Sequence, residues 1–238
     1  MKLDVVAIVP AAGLGKRFGT SERKQFAKVA GIPLLLYTLK GLHKTRHITE
    51  IIPVLRQEDM ERGLEIIESR NLYKIRKIAP GGTERQDSIN NALKLIKEKC
   101  LILIHDGARP LVSCGLIERL LQGIKGFDGV IPGLPVRDTL KEVNSKGLVL
   151  STVKRESFWT VQTPQIFNSL VIKKAYDKAY KKGFYATDDA ALVERIGGKI
   201  RVIAGDPFNI KVTTPEDLKL AEYLITVRNK NKKILNRF

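Results

Sequence analysis

The chain has 238 residues, 43% of them hydrophobic and 28% charged, which is the balance of a soluble globular protein long enough to bury a sizeable core. No apolar run approaches the ~20 residues that span a bilayer, the first residues do not read as a secretory leader, and the isolated Cys100 and Cys114 exclude a disulfide framework; a cytoplasmic protein with no membrane partner is expected. The formal net charge of +17 suits an anionic partner: nucleic acid, a membrane surface or a phosphorylated small molecule.

The chain opens on Val5-Val6-Ala7-Ile8-Val9, a buried-strand pattern that breaks at Pro10 into Ala11-Ala12-Gly13-Leu14-Gly15-Lys16-Arg17-Phe18-Gly19, with Lys24 following. Small residues after a strand let the backbone approach a ligand, glycine accepts φ > 0 without a Cβ penalty, and amides in such a loop bind phosphate oxygens. Arg17 and Lys24 add cations, so the stretch reads as a triphosphate site or as a plain strand-to-helix turn. Phe18 stands where the dinucleotide fingerprint needs its third glycine, and no Walker A run is present.

Further strands are expected at Ile51–Leu55, Ile75–Ala79, Leu101–His105, Gly129–Gly133 and Ile200–Ala204. Helical patterns lie between them at Leu34–His43, Asp59–Glu68, Arg85–Lys97, Leu116–Lys125, Ser169–Lys181 and Asp188–Ile196. A last helix starts with Thr214 as N-cap, Pro215 at the first helical position and Asp217 completing a capping-box-like start. This alternation predicts an α/β, Rossmann-like fold, a mostly parallel twisted sheet with helices on both faces. Ligands in such sheets sit beyond the carboxyl ends of the strands, where Pro10–Lys24, Gly81–Gly82 and His105–Pro110 all fall.

The alternation breaks between Val136 and Trp159. Thr139–Val143 and Leu148–Val153 are strand-like around the turn signal Asn144-Ser145-Lys146-Gly147. Residues 136–159 therefore form an inserted β-arm, too thin for a core of its own, for which a second subunit is the expected packing surface. Residues 1–227 read as one domain and 228–238 as a basic, solvated C-terminal tail.

Five more groups carry chemistry. Gly81 and Gly82 precede a helix whose free amides favour anions, with Arg85 and Ser88 inside the helix; the same stretch also reads as a plain Gly-rich turn capped by Thr83. Asp106, in Ile104-His105-Asp106-Gly107-Ala108-Arg109-Pro110, is a carboxylate at a strand end beside phosphate-type loops, the usual way to hold Mg²⁺; pairing with Arg109 would satisfy it equally well. Later come Arg155, Gln162-Thr163-Pro164-Gln165, Thr187-Asp188-Asp189 (with Thr187 a good N-cap) and Asn209-Ile210-Lys211.

Pro10-Ala11-Ala12-Gly13-Leu14-Gly15-Lys16-Arg17, Lys24-Gln25, Gly81-Gly82-x-x-Arg85-x-x-Ser88, His105-Asp106-x-Ala108-Arg109-Pro110, Val136-Arg137-Asp138-Thr139, Gln162-Thr163-Pro164-Gln165, Thr187-Asp188-Asp189 and Asn209-Ile210-Lys211-Val212-Thr213 together resemble the 2-C-methyl-D-erythritol 4-phosphate cytidylyltransferase family, from Asp4 to about Leu224. The resemblance implies a nucleotidyltransferase fold and the reaction of CTP with methylerythritol 4-phosphate, giving the CDP-alcohol and pyrophosphate in the non-mevalonate isoprenoid pathway. It implies a CTP site at Pro10, Ala11, Ala12, Gly13 and Gly15, with Gly81, Gly82, Arg85, Ser88 and Gly107. Arg17 and Lys24 match residues that stabilise the α-phosphate, and Arg155 and Lys211 match those that position the acceptor phosphate. Asp106 would hold Mg²⁺, with Asn209 a weaker candidate, and Arg109, Thr139, Thr163 and Thr187 match acceptor-site residues. A homodimer is implied, Thr139 and the arm reaching into the partner's site. Gly107 stands where the family often has alanine, which predicts a looser loop. Two rivals remain. A ribitol-5-phosphate cytidylyltransferase would look more like Leu-Ala-Gly-Gly in the first loop. A nucleic-acid-binding protein is motivated by the charge but lacks any recognisable module, and no basic stripe is interleaved with aromatics.

Overall fold

The computed structural model describes residues 4–13, 15, 18 and 23–235. In chain order, β1 (Val5–Pro10) is followed by the short hairpin β2 (Lys28–Val29) and β3 (Ile32–Pro33), then α1 (Leu34–His43), β4 (Ile48–Leu55), α2 (Met60–Glu68), β5 (Ala79–Pro80), α3 (Arg85–Lys94), β6 (Leu101–Ile104), α4 (Cys114–Gly123) and β7 (Gly129–Pro135). The arm supplies β8 (Leu140–Val143) and β9 (Val149–Val153). The chain returns through β10 (Trp159–Val161) and β11 (Gln165–Asn168) to α5 (Ser169–Lys181), α6 (Asp189–Arg195), β12 (Ile200–Ala204) and α7 (Pro215–Leu235).

One eight-stranded sheet carries the order β10-β7-β11-β6-β1-β4-β5, with β12 paired to β7. β1, β4, β5 and β6 run parallel, as do β7 and β12, while β10 and β11 are antiparallel to their neighbours. The mostly parallel sheet expected from the alternation is therefore present. Helices cover both faces, so successive residues of one strand enter different cores. Val6 and Ile8 pack with Ile89, Tyr176 and Leu192 from α3, α5 and α6, whereas Val5, Ala7 and Val9 pack with Leu35, Leu39 and Ile117 from α1 and α4. A smaller cluster seats α7, through Ala221 and Ile225, on Phe18, Val29 and Leu34.

α1 and α5 have the expected bounds, and other details differ. The strand expected at Ile75–Ala79 is reduced to a single bridge between Ile75 and Ile51 plus β5. β11, which inserts antiparallel between β6 and β7, was not foreseen. Thr83 does not cap α3; Glu84 does, in a reciprocal capping box with Asp87. Thr187 does not cap α6; Asp188 does, its side chain accepting from Ala191 N. The basic stretch from Arg228 begins inside α7, and Arg228 donates to the Leu111 carbonyl at 3.3 Å.

Among the described residues, the arm is a two-stranded hairpin paired only with itself. Gly147 takes φ +79 in its turn, and the Asn144 side chain accepts from the amides of Lys146 and Leu148, so the turn signal does form the turn. Among the described residues, no helix is long and apolar enough to cross a membrane.

Candidate active site

The carboxyl ends of β1, β4 and β6 and the loop leading into α3 enclose a cleft of about 380 Å³. Pro10, Ala11, Ala12, Gly13 and Gly15 line one wall, Gly82, Arg85 and Ser88 another, and Lys24, Asp106, Gly107 and Lys211 complete it. Residues far apart in the sequence thus meet at one place. Arg17 lies outside the described residues. Gly81 is not on the wall but behind it. Its amide donates to Leu55 O at 2.6 Å, and a Cβ there would stand 2.4 Å from that of Ala12, so glycine is what lets the two loops close together. Gly15 takes φ +63, the left-handed conformation that the loop's glycine was expected to serve.

Several groups read as ligand-facing are already occupied. Ala11 N donates to Val54 O, Gly107 N to Pro10 O and Gly82 N to Ser88 Oγ, which itself donates to Glu84 O. Ser88 therefore shapes the loop on which it stands. Gly107 does not loosen its loop: its amide and its carbonyl (which accepts from Thr38 Oγ1) are both bonded, and an alanine Cβ would lie 3.0 Å from that of Ala11. Arg56, which follows β4, and Gln25 also line the cleft. No glycine or turn signal marks Arg56; only its place at a strand's carboxyl end could have pointed to it.

A second cleft, of about 510 Å³, adjoins the first and shares Arg85, Asp106 and Lys211 with it. Arg109, Thr163, Gln165 and Thr187 line it. At the junction, the Asp106 carboxylate meets Lys211 Nζ at 2.9 Å, Arg85 Nε at 3.4 Å and Arg109 Nε at 3.6 Å. Burial alone would raise the Asp106 pKa, but Arg85, Lys211 and Arg109 outweigh it and hold the carboxyl far below the usual range. Burial likewise works against the charge on Arg85, and Asp189 and Asp106 outweigh it and raise its pKa. The Arg85 guanidinium bridges these two carboxylates, reaching Asp189 at 2.8 Å, and Asp189 also accepts from Tyr176 Oη at 2.6 Å.

Behind Asp106 lies a fully buried brace. His105 Nε2 faces Arg109 O at 3.2 Å and its Nδ1 faces Thr163 Oγ1 at 3.1 Å. Burial lowers its pKa to about 4, so the ring is neutral. A carbonyl can only accept, so Nε2 carries the hydrogen and Nδ1 accepts from the Thr163 hydroxyl. The lone pair of that hydroxyl accepts from Asp106 N at 3.0 Å. Thr163, expected as an acceptor-site ligand, has its hydroxyl tied into the frame that aims Asp106. Arg109 is similarly held, its Nη1 donating to Asn209 O at 2.7 Å, while Asn209 donates to Thr163 O at 2.7 Å and lines neither cleft.

Two expected residues are elsewhere in the chain's own structure. Thr139 is exposed at the foot of the arm, and Arg155, in a short helical turn after β9, donates to the Arg137 carbonyl. Neither lines a cleft. As for a metal, no group of three or more carboxylate, histidine or cysteine side chains gathers among the described residues. A single carboxylate at the junction of two clefts still fits a magnesium site, because that ion takes one or two carboxylates and completes its shell with substrate phosphate and water oxygens.

Glycine loops and cations at the carboxyl edge of a parallel sheet, with a second polar cleft sharing its charged corner, define an α/β protein built to bring two phosphorylated ligands together. The chain matches the family model for 2-C-methyl-D-erythritol 4-phosphate cytidylyltransferase (IspD) over residues 5–227. Proteins of that name from Desulforamulus reducens and Syntrophus aciditrophicus are 41% and 44% identical, over 95% and 93% of this chain and 97% and 96% of their own. The crystal structure of the 4-diphosphocytidyl-2C-methyl-D-erythritol synthase from Anaerococcus prevotii superposes with a TM-score of 0.83 at 32% identity, covering 94% of this chain and 97% of that one. The chain belongs to the 2-C-methyl-D-erythritol 4-phosphate cytidylyltransferase family.

Proposed function

We propose that the protein transfers a cytidylyl group from CTP to 2-C-methyl-D-erythritol 4-phosphate, giving 4-diphosphocytidyl-2-C-methyl-D-erythritol and pyrophosphate in isoprenoid biosynthesis. The observation that carries this reading, beside family membership, is the pair of clefts that meet at Asp106, Arg85 and Lys211. The first would take the CTP and the second the acceptor. An acceptor phosphate oxygen attacks the α-phosphorus in line, the new P–O bond forms as the bridging bond to the β-phosphate breaks, and pyrophosphate leaves with that electron pair. A phosphate monoester has its second pKa near ~6, so the nucleophile is already ionised and no general base is needed. That accords with a site whose one histidine is neutral and buried in the frame.

Catalysis is then positioning and charge neutralisation. Lys24, with Arg17, would stabilise the pentavalent α-phosphate. Lys211 would leave its pairing with Asp106 to orient the acceptor phosphate, and Arg109 and Thr187 would hold the acceptor. Asp106 would hold Mg²⁺, which when bound would neutralise charge on the triphosphate oxygens. Thr139 and Arg155 would act in trans: the exposed apolar surface of the arm would pack on a second copy and carry them to its acceptor cleft. The protein would work as a cytoplasmic homodimer.

Pyrophosphate release with CTP and Mg²⁺ tests this, comparing methylerythritol 4-phosphate with ribitol 5-phosphate. Turnover with the first alone is expected. Preference for the second would retain the nucleotide cleft and overturn the assignment of the acceptor cleft; turnover with neither would overturn the transferase reading.

A further inference from the structure

Gln25 is 4% exposed beside Lys24, and the transfer reaction has no evident use for its amide. Its Nε2 donates to Asp59 Oδ2 at 3.1 Å, and Arg23 Nη1 donates to the same oxygen at 2.6 Å. The residues on either side of Lys24 thus converge on one buried carboxylate oxygen. Asp59 occupies the N-cap of α2, where an aspartate side chain ordinarily accepts from its own helix's free amides. Here it makes no such bond and faces Arg23 and Gln25 instead. The same helix places the Arg62 guanidinium 4.3 Å from the ring centre of Phe26, which is fully buried. The start of α2 therefore grips the turn Lys24–Phe26 just before Lys24, just after it and one residue further on.

We propose that Asp59 is a positioning residue for Lys24. A lysine on its flexible stem acts on a phosphate only as well as its backbone origin is placed. Asp59 fixes that origin on both sides, so the ammonium meets the α-phosphate with little reorganisation. A carboxylate suits the task because one oxygen accepts from both an amide and a guanidinium. The inference rests on the role given to Lys24 above.

A double-mutant cycle tests it, with wild type, Asp59→Ala, Lys24→Ala and the double variant compared by kcat for pyrophosphate release and by calorimetric binding of inorganic tripolyphosphate. Asp59→Ala is expected to lower kcat about ten- to hundred-fold with the acceptor KM nearly unchanged, and to add under about threefold on top of Lys24→Ala. An equal loss in both backgrounds, or a normal rate in Asp59→Ala, overturns the proposal. Should Asp59→Ala not fold, Asp59→Asn keeps the shape without the charge and is read through the same cycle. If wild type releases no pyrophosphate, the functional reading falls and the cycle is read on tripolyphosphate affinity: weakening by Asp59→Ala only where Lys24 is present supports the anchor, and equal weakening in both backgrounds rejects it.

Discussion

The corner around Asp106 and the β8–β9 arm both hold residues expected at the site, and they are built in opposite ways. In the corner, His105, Asp106, Arg109, Thr163 and Asn209 are each 9% exposed or less, and hydrogen bonds link each to another of the five. On the arm, Val143, Leu148, Val149 and Leu150 are each more than half exposed, and among the described residues the strands pair only with each other. A two-stranded ribbon with an open apolar surface is marginal alone. The contrast separates what the chain fastens within itself from what it leaves open on its outside.

The largest expected effect comes from dividing the site along that line. Lys24→Ala damages the cleft beside the corner and leaves the arm, whereas Arg155→Ala damages the arm and leaves the cleft and corner. Each homodimer is expected to lose about two to three orders of magnitude in kcat. Unfolding and refolding the two together forms hybrids in which one of the two sites has an intact cleft and an intact arm, so activity should return to about a quarter of wild type. If the mixture stays as inactive as its components, each arm serves its own chain and the comparison fails.

The corner and the hairpin of the arm were both largely legible in the sequence. Strand β1 was readable because both faces are buried, which makes the run apolar throughout; Asp106 stood out as a charged residue just past β6, and Lys211 as one shortly before the capped start of α7. β11 was not readable. Gln165-Ile166-Phe167-Asn168 is short, and the β6 and β7 strands that make it a strand are distant in sequence. Thr83 and Glu84 could each cap α3, and only the backbone bend, with Asp87 reaching back, selects Glu84. The Thr163 hydroxyl looks like a ligand in a motif, and only the ring beside it shows where its proton goes.

A smaller effect should appear as pH dependence in the corner. Burial lowers His105 from an ordinary value of 6.5 to about 4. Between those values the unfolded chain takes up a proton that the folded chain refuses. The neutral ring's contribution is complete above pH 6.5 and is lost as pH falls towards 4, amounting to about 3 kcal/mol. Urea unfolding followed from pH 7 to pH 4 should show that slope in wild type and not in His105→Asn, which keeps an acceptor for Thr163 but does not titrate. Equal slopes in the two proteins would place the acid sensitivity elsewhere than in the brace.

The smallest effect on the protomer should come from the arm. Leu150 is 60% exposed on β9, so Leu150→Ser removes little buried area from a single chain, and the protomer's own stability should change by less than about 0.5 kcal/mol. If a second copy covers the arm, the same substitution removes apolar area at that interface, and sedimentation should show the dimer dissociating about tenfold more readily. The two measurements pull apart only if the residue is idle within its own chain and used between chains. An unchanged dissociation constant would take the arm out of the interface, and with it the route by which Thr139 and Arg155 reach an acceptor cleft.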